Sequence, residues 1–547
     1  MLLSKLKRLI PRSYCAITVS VRLHRLLAIL IMLTILWWGM GSEVAIAQTQ
    51  TASPPQLLQR SKSQTPAVPS SIQPYLDRAI KQVTEFRLDN GLKFIVLKRD
   101  QAPVVSFVTY ADVGAVDEPD GKTGMAHFLE HLAFKGTTRI GTKDYQAEKL
   151  LLERLEQLDA QIKAAKADGK KDEVARLQAE FEQVELQASK LVKQNEFGQI
   201  VRQAGGPDLN AETTTDATRY FYSLPANKLE LWMSLESERF LEPEFRREFY
   251  QEKDAVLEER RLRVENSPTG LMGAKFFDTA FKVHPYKHLV IGYEEDIRNL
   301  TPKDVQKFFE TYYVPSNLTI AIVGDVNTAE VKKLAQIYFG RYQSKPQPIS
   351  KIPVEPPQTK MREVTLRLPS QPFYFEGYHR PAVTHPDNAV YEIIGNLLWG
   401  GRTSRLYKSL VEQQQLALAL DGETSIPGNK YPNLIFFLAA TASGHTVDEL
   451  AAALQKEIDK LKIEPVSITE LQRVKTQVKA GLLANLKSNM GMAGLLSEYQ
   501  VKTGSWRNLF KYLDEIIAVT PADIQRVAKA TFTPENRTIG KLLSQDG

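Results

Sequence analysis

Leu300-Thr-Pro-Lys-Asp-Val-Gln-Lys307 runs on to Val314-Pro-Ser-Asn-Leu-Thr-Ile320. At an offset of 219 residues, Val519-Thr-Pro-Ala-Asp-Ile-Gln-Arg526 runs on to Thr533-Pro-Glu-Asn-Arg-Thr-Ile539. Eight of the 21 aligned positions are identical, among them Thr301/Thr520, Pro302/Pro521, Asp304/Asp523 and Asn317/Asn536. In each copy Thr precedes Pro, the order that caps a helix and opens its first turn. A turn and an apolar strand follow. Two unrelated helices with common caps would lose register after the turn. Here the register continues into the strand, so the chain reads as an internal duplication of an α+β domain. Between the copies, the Pro-rich stretch Ser344 to Pro357 has neither helical nor strand period and reads as an interdomain linker.

The 547 residues leave room for roughly three or four domains of ~150 residues. A chain that is 43% hydrophobic and 24% charged is ordinarily globular, which excludes a wholly disordered, collagen-like or multi-pass membrane protein. Cys15 is the only cysteine, so no disulfide framework or Cys-ligated zinc module can form.

At the N-terminus, Lys5, Lys7, Arg8, Arg12, Arg22 and Arg25 precede an apolar run from Leu26 to Met40, and Val44-Ala45-Ile46-Ala47 offers small residues to a signal peptidase. The pattern is that of a secretory signal peptide over residues 1–47, with an uncleaved membrane tether as the alternative. Its removal takes away most of the net charge of +6 and with it any support for nucleic-acid binding. The expectation is an exported protein, in the periplasm or an equivalent lumen, with no membrane contact beyond the signal. Residues 48–82 read as a flexible linker, 83–343 as the first domain, 344–362 as the Pro-rich linker and 363–547 as the second, homologous domain. Asn90-Gly91, between two apolar alternations, predicts a β-hairpin.

One segment breaks the duplicated pattern. Leu151, Leu155, Leu158, Ile162 and Ala165 recur at helical spacing, and so do Val174, Leu177, Phe181, Val184, Ala188 and Leu191 after an Asp168-Gly169 turn. This predicts an antiparallel helical hairpin over about residues 144–197, either a docking arm or a solvated decoration.

The chemistry centres on His127-Phe-Leu-Glu130-His131. On a helix, His127 and His131 share a face and can grip one ion, while Glu130 lies within reach of a water beside it. This is the inverted zinc-peptidase signature H-x-x-E-H. Imidazole suits Zn²⁺, and a catalytic site wants a third protein ligand. That ligand is expected from the strongly helical stretch Glu230 to Glu265, where Glu252 and Glu259 lie seven apart and Glu258 turns about 100° away. Glu259 is taken as the ligand and Glu252 as an electrostatic group of the catalytic set. The pair His284/His288, with Pro285 between its members and no carboxylate, reads as a loop accident on the surface.

Together with Phe134-Lys-Gly-Thr137, Gly205-Gly206, Asn210-Ala211-Glu-Thr213, Thr218-Arg-Tyr220 and His284-Pro-Tyr286, these residues occur in the order seen in the insulinase/pitrilysin metallopeptidase family. The chain resembles its half-length members, such as the mitochondrial processing peptidase subunits, over about residues 83–547. The resemblance implies two related α/β-roll domains, one Zn²⁺ held by His127, His131 and Glu259, and Glu130 as general base. It also implies an edge strand at Asn210 and Ala211 that holds peptide substrate by strand addition. Active members present an Arg and a Tyr from the second half. Here Val411 and Leu418 stand at those positions, and neither can donate a hydrogen bond. Three readings follow: the zinc-bearing subunit of a heterodimer (or a homodimer) whose partner supplies the pair, a weak or inactive scaffold, or a peptide-holding chaperone.

Overall fold

The computed structural model describes residues 80–545. The signal-peptide reading lies outside them, as does the linker reading apart from residues 80–82. Among the described residues no helix is long and apolar enough to cross a membrane.

Asn90-Gly91 turns β1 (Val83–Arg87) into β2 (Lys93–Lys98) as an antiparallel hairpin. β3 (Val104–Ala111), β4 (Asn210–Thr213), β5 (Thr218–Pro225) and β6 (Leu318–Gly324) complete a sheet of order β1-β2-β6-β3-β5-β4. The second sheet contains β7 (Arg362–Leu368), β8 (Phe373–Arg380), β9 (Ala417–Ile426), β10 (Asn433–Thr441) and β11 (Arg537–Ser544), in the order β7-β11-β8-β10-β9. The two sheets match strand for strand once β1 is set aside. In each, the first pair is parallel and the remaining pairs are antiparallel.

The duplicated stretch builds the same joint twice. Thr301 and Thr520 cap helices Pro302–Tyr312 and Pro521–Thr531, each in a reciprocal box with an Asp three residues on. Asn317 Nδ2 then donates to the carbonyls of Tyr312 and Asp112, and Asn536 Nδ2 to those of Thr531 and His379. Each Asn thus ties the end of its helix to the end of a neighbouring strand.

Both faces of both sheets are covered. Phe94, Val96, Phe107, Ile320 and Ile322 pack on helices of the first half, and Tyr374, Tyr378, Ile435, Phe437 and Ile539 on helices of the second. The opposite faces are covered crosswise. Ile95, Leu97, Val108, Ala321 and Val323 meet Met492, Leu496, Trp506 and Phe510, which belong to helices Asn489–Thr503 and Asn508–Ala518 and the turn between them. In return, Met272 and Phe276 of helix Pro268–Ala280 lie against Phe375, Gly377, Phe436 and Gly540 of the second sheet. Each half covers one face of the other's sheet.

The helical hairpin consists of Tyr145–Ala167 and Lys171–Ser189, joined at Asp168-Gly169, with Leu155, Leu158, Ile162, Ala165 and Leu177 buried along its seam. The stretch from Glu230 to Glu265 departs from the expected single helix. It is helical over Leu229–Leu241 and Phe249–Arg260, with a break that ends at Glu248 in the left-handed region (φ 54°). Pro243 accounts for the break, because the residue before a proline is pushed out of the helical region.

Candidate metal centre

Helix Met125–Leu132 starts abruptly, and two features explain it. Gly124 adopts φ +86° where a Cβ would stand 2.6 Å from the Ile291 carbonyl oxygen, so only glycine fits. The buried carboxylate of Glu118 accepts the N–H groups of Gly124 (2.9 Å) and Ala126 (2.7 Å), satisfying donors that the first turn leaves open. Met125, Phe128, Leu129 and Leu132 face the core, which turns His127 and His131 together toward a second helix.

That second helix, Phe249–Arg260, packs Phe249 against Phe128, with ring centroids 5.0 Å apart, and presents Glu252 and Glu259 to the histidines. Glu259 Oε2 lies 3.8 Å from His127 Nε2 and 3.6 Å from His131 Nε2. Its other oxygen receives Arg263 at 2.9 Å. Arg263 lies in the wider helical turn Arg261–Glu265 that continues the helix, an irregularity often found beside functional groups. Glu258 points to solvent and pairs with Arg261. Glu252 Oε2 stands 3.2 Å from His131 Nδ1, and its Oε1 receives Lys135 at 2.5 Å.

One ligand atom each from His127, His131 and Glu259 lies within 4.8 Å of the other two. Ligands ~2.0–2.1 Å from a tetrahedral zinc stand roughly 3.3–3.5 Å apart, so the two Glu259 distances fit after a shift of a few tenths of an ångström and the widest pair closes by at most about 1.5 Å. The electrostatics of His127 agree with that use. Burial, with His131 and Arg263 nearby, lowers His127 to about 3, so it is neutral and free to donate a lone pair. Burial pulls His131 down too, but Glu252, Glu130 and Glu259 overcome it and hold the ring above its ordinary value. The Glu252 bond favours the Nδ1–H tautomer and leaves Nε2 facing Glu259. Burial raises the Glu130 carboxyl, against hydrogen bonding from Thr213 and the charge of His131.

Thr213 is the last residue of β4, which borders one end of the first sheet and lies beside the histidine helix. Asn210 is exposed and Ala211 is buried on this strand, and the Asn210 Oδ1 accepts the Ala211 N–H at 2.9 Å. Val411 lies in the helical segment Tyr407–Gln413, and Leu418 is half-exposed on the edge strand β9.

His284 and His288 are not on the surface. They are 3% and 5% exposed; His284 packs on the buried Tyr286 of the turn Pro285–Lys287, and His288 faces Tyr293. The expectation failed because Pro285 marks a turn without saying which side of it faces inward. Sequence reading also passed over Arg239, a charged residue buried among the rings of Phe134, Phe197 and Tyr220 and ion-paired to Glu236. Its place three residues along a helix from Glu236 is equally that of a solvated ion pair, so the sequence carried no signal of its burial.

Known proteins match this arrangement. Residues 94–169 and 181–292 match the family described as Insulinase (Peptidase family M16), and residues 299–478 match that described as Peptidase M16 inactive domain. The chain is 30% identical over 461 residues to the zinc protease PqqE of Helicobacter pylori, covering 82% of this chain and 90% of the relative. It is 22% identical over 457 residues to a protein of Arabidopsis thaliana named probable mitochondrial-processing peptidase subunit beta, covering 81% and 74%. The crystal structure of a protease from Helicobacter pylori superposes with a TM-score of 0.71 at 28% identity, covering 84% of this chain and 99% of that one. With both halves matched and the histidine pair on the expected helix, the chain belongs to the insulinase, or M16, family of peptidases.

Proposed function

We propose that the chain is an exported zinc metalloendopeptidase that cuts peptides or unfolded segments. The observation that carries this reading is the shared locus of His127 Nε2, His131 Nε2 and Glu259 Oε2, with Glu130 on the same helix turn. His127, His131 and Glu259 would hold the ion, which when bound supplies an acidified water and a polarised scissile carbonyl. Glu130 takes the proton of the attacking water and passes it to the leaving amine, a role helped by a carboxyl held above its ordinary pKa. Glu252 orients His131 through Nδ1. The open edge of β4, from Asn210 and Ala211, receives the peptide backbone as an added strand.

Val411 and Leu418 carry no donor for the developing oxyanion. Losing such donors costs on the order of 10²–10³ in rate each, which favours a paired subunit that supplies Arg and Tyr. The same absence sustains a second reading, a family member retained as a scaffold. Helix Asn388–Trp399, which follows β8 as the histidine helix follows β3, holds no histidine, so the second half adds no metal site of this kind.

The test is Glu130→Gln. The variant should retain zinc at the wild-type ratio and lose hydrolysis of an unstructured peptide, assayed with the chain alone and with any second chain that co-purifies. Wild-type rates in the variant would remove Glu130 from the mechanism. A wild-type chain that binds zinc yet never cuts, alone or paired, would leave the scaffold.

A further inference from the structure

The turn between β4 and β5, residues 214–217, is gripped from two sides. On one side Ala115 and Val116 donate their N–H groups to the carbonyls of Thr214 (3.2 Å) and Thr215 (2.9 Å). The same short segment carries Glu118, the cap of the histidine helix. On the other side sits the tip of the β9–β10 hairpin, residues 427–431, which comes from the second half. Asp216 is 1% exposed. Its Oδ2 accepts the N–H groups of Asn429 (2.7 Å) and Lys430 (2.9 Å), and its Oδ1 accepts the Tyr286 hydroxyl (2.5 Å). Thr215 Oγ1 donates to the Pro427 carbonyl (3.0 Å), and Lys430 Nζ reaches Asp112 at the end of β3 (2.5 Å). Gly428 makes the fit possible, since a Cβ there would stand 2.5 Å from the Tyr286 hydroxyl and 2.6 Å from Asp216 Oδ2.

β4 spans four residues and pairs with β5 alone. So short a strand keeps its height only if its ends are held. Three donors compensate the buried Asp216 carboxylate, and two of them are backbone groups of the other half, so the turn cannot shift without breaking charge-assisted bonds. A second tie lies along the strands, where Arg219 of β5 joins Glu212 of β4 to Glu498 of helix Asn489–Thr503. The strand that ends on Thr213, beside Glu130, is therefore fixed from the half that carries no histidine motif.

We propose that Asp216 is a positioning residue for peptide binding: through it the tip 427–431 sets the height of the β4 edge above Glu130. The ligand is the backbone of an extended peptide, and the inference rests on the hydrolase reading above. It gives the second half a part in peptide binding even where that half contributes no donor to the reaction.

Asp216→Asn and Gly428→Ala test this in the full chain, with a fluorescently labelled unstructured peptide as the probe. Loss of one buried charge-assisted bond corresponds to roughly a tenfold weakening, so KM should rise about tenfold while kcat changes much less. The Kd of the same peptide, measured in a Glu130→Gln background, should rise by a similar factor. Zinc content should stay near wild type, whereas the melting temperature should fall, because both substitutions disturb buried contacts. Unchanged KM and Kd in folded variants overturn the proposal, and so does a fall in kcat that tracks lost zinc. Should Asp216→Asn fail to fold, Tyr286→Phe removes one donor to Asp216 and the acceptor of the Tyr431 N–H (3.3 Å) on the same tip, and should move KM and Kd the same way by a smaller factor. If the wild-type chain binds the peptide without cutting it, the hydrolase reading fails, and the Kd comparison alone still decides the role of Asp216.

Discussion

His131 divides its two ring nitrogens between two carboxylates, Nδ1 standing 3.2 Å from Glu252 Oε2 and Nε2 standing 3.6 Å from Glu259 Oε2. A ring held this way has one tautomer and one orientation, which is what a metal ligand requires. Burial pushes the Glu252 carboxyl up, but His131 and Lys135 prevail and keep it below the ordinary range, so it faces the ring as an anion. Glu252→Gln preserves the shape and removes the charge. Zinc affinity should fall by ~10–100-fold, read by competition with a chromophoric chelator. Equal affinity would show that the ring needs no anionic partner.

Arg247 and Glu148 form a second pair, sealed from water with both side chains 0% exposed. Nε donates at 2.7 Å and one terminal nitrogen at 2.8 Å, and the same guanidinium holds the carbonyls of Lys135, Thr137 and Ile140 at 3.0 Å. The loop after the histidine helix is thereby locked to the base of the helical hairpin. Glu148→Gln leaves a buried cation without its counter-charge and should destabilise the protein by about 3–5 kcal/mol, seen in denaturant unfolding. A cost under ~1 kcal/mol, the range of exposed pairs, would mean that water reaches the guanidinium.

Asp117 gives stability a pH dependence of definite sign. It is 6% exposed, and burial raises its carboxyl from 3.8 to about 6 in spite of hydrogen bonds from Ser350 and the Gly114 N–H. The folded state therefore binds this proton more tightly than the unfolded chain. The resulting stabilisation is fully present below pH ~4 and is lost as pH rises through about 6, amounting to as much as ~3 kcal/mol. Asp117→Asn should flatten that part of the profile when unfolding free energies are compared at pH 4 and pH 6.5. Parallel profiles for the two proteins would assign the slope to other groups.

What the sequence made readable was local or repeated. The Asn90-Gly91 hairpin, the helical hairpin with its Asp168-Gly169 turn, and the Thr-Pro joints at 301 and 520 each carry their cause within a few residues. The rotation per residue of a helix was enough to expect Glu258 and Glu259 to diverge, and the two side chains do point apart, one to the imidazoles and one to Arg261. Contacts between distant segments were not readable. Nothing in the spacing around Asp216 points to the tip at 427–431, more than two hundred residues away. Buried charges such as Arg239 and Arg247 look the same in a sequence as solvated ones. His284 and His288 were placed outside because a Pro-containing turn has no periodicity to say which of its side chains faces inward.

The crosswise cover of the two sheets has a thermodynamic consequence. Helix Asn489–Thr503 belongs to the second half in sequence, yet Met492 and Leu496 are fully buried against the first sheet. Phe276, from the first half, is fully buried against the second. Neither sheet can keep both faces dry once the other half unfolds, and exposed apolar area costs roughly 25 cal/mol per Å². The halves should therefore melt together, although chains of this size commonly show separate domain transitions. Leu496→Ala and Phe276→Ala, each expected to cost ~2–5 kcal/mol, should both lower the midpoint of one shared calorimetric transition. Two resolved transitions, each moved by only one of the substitutions, would show that the halves are stable apart and that the exchanged helices are mere surface cover.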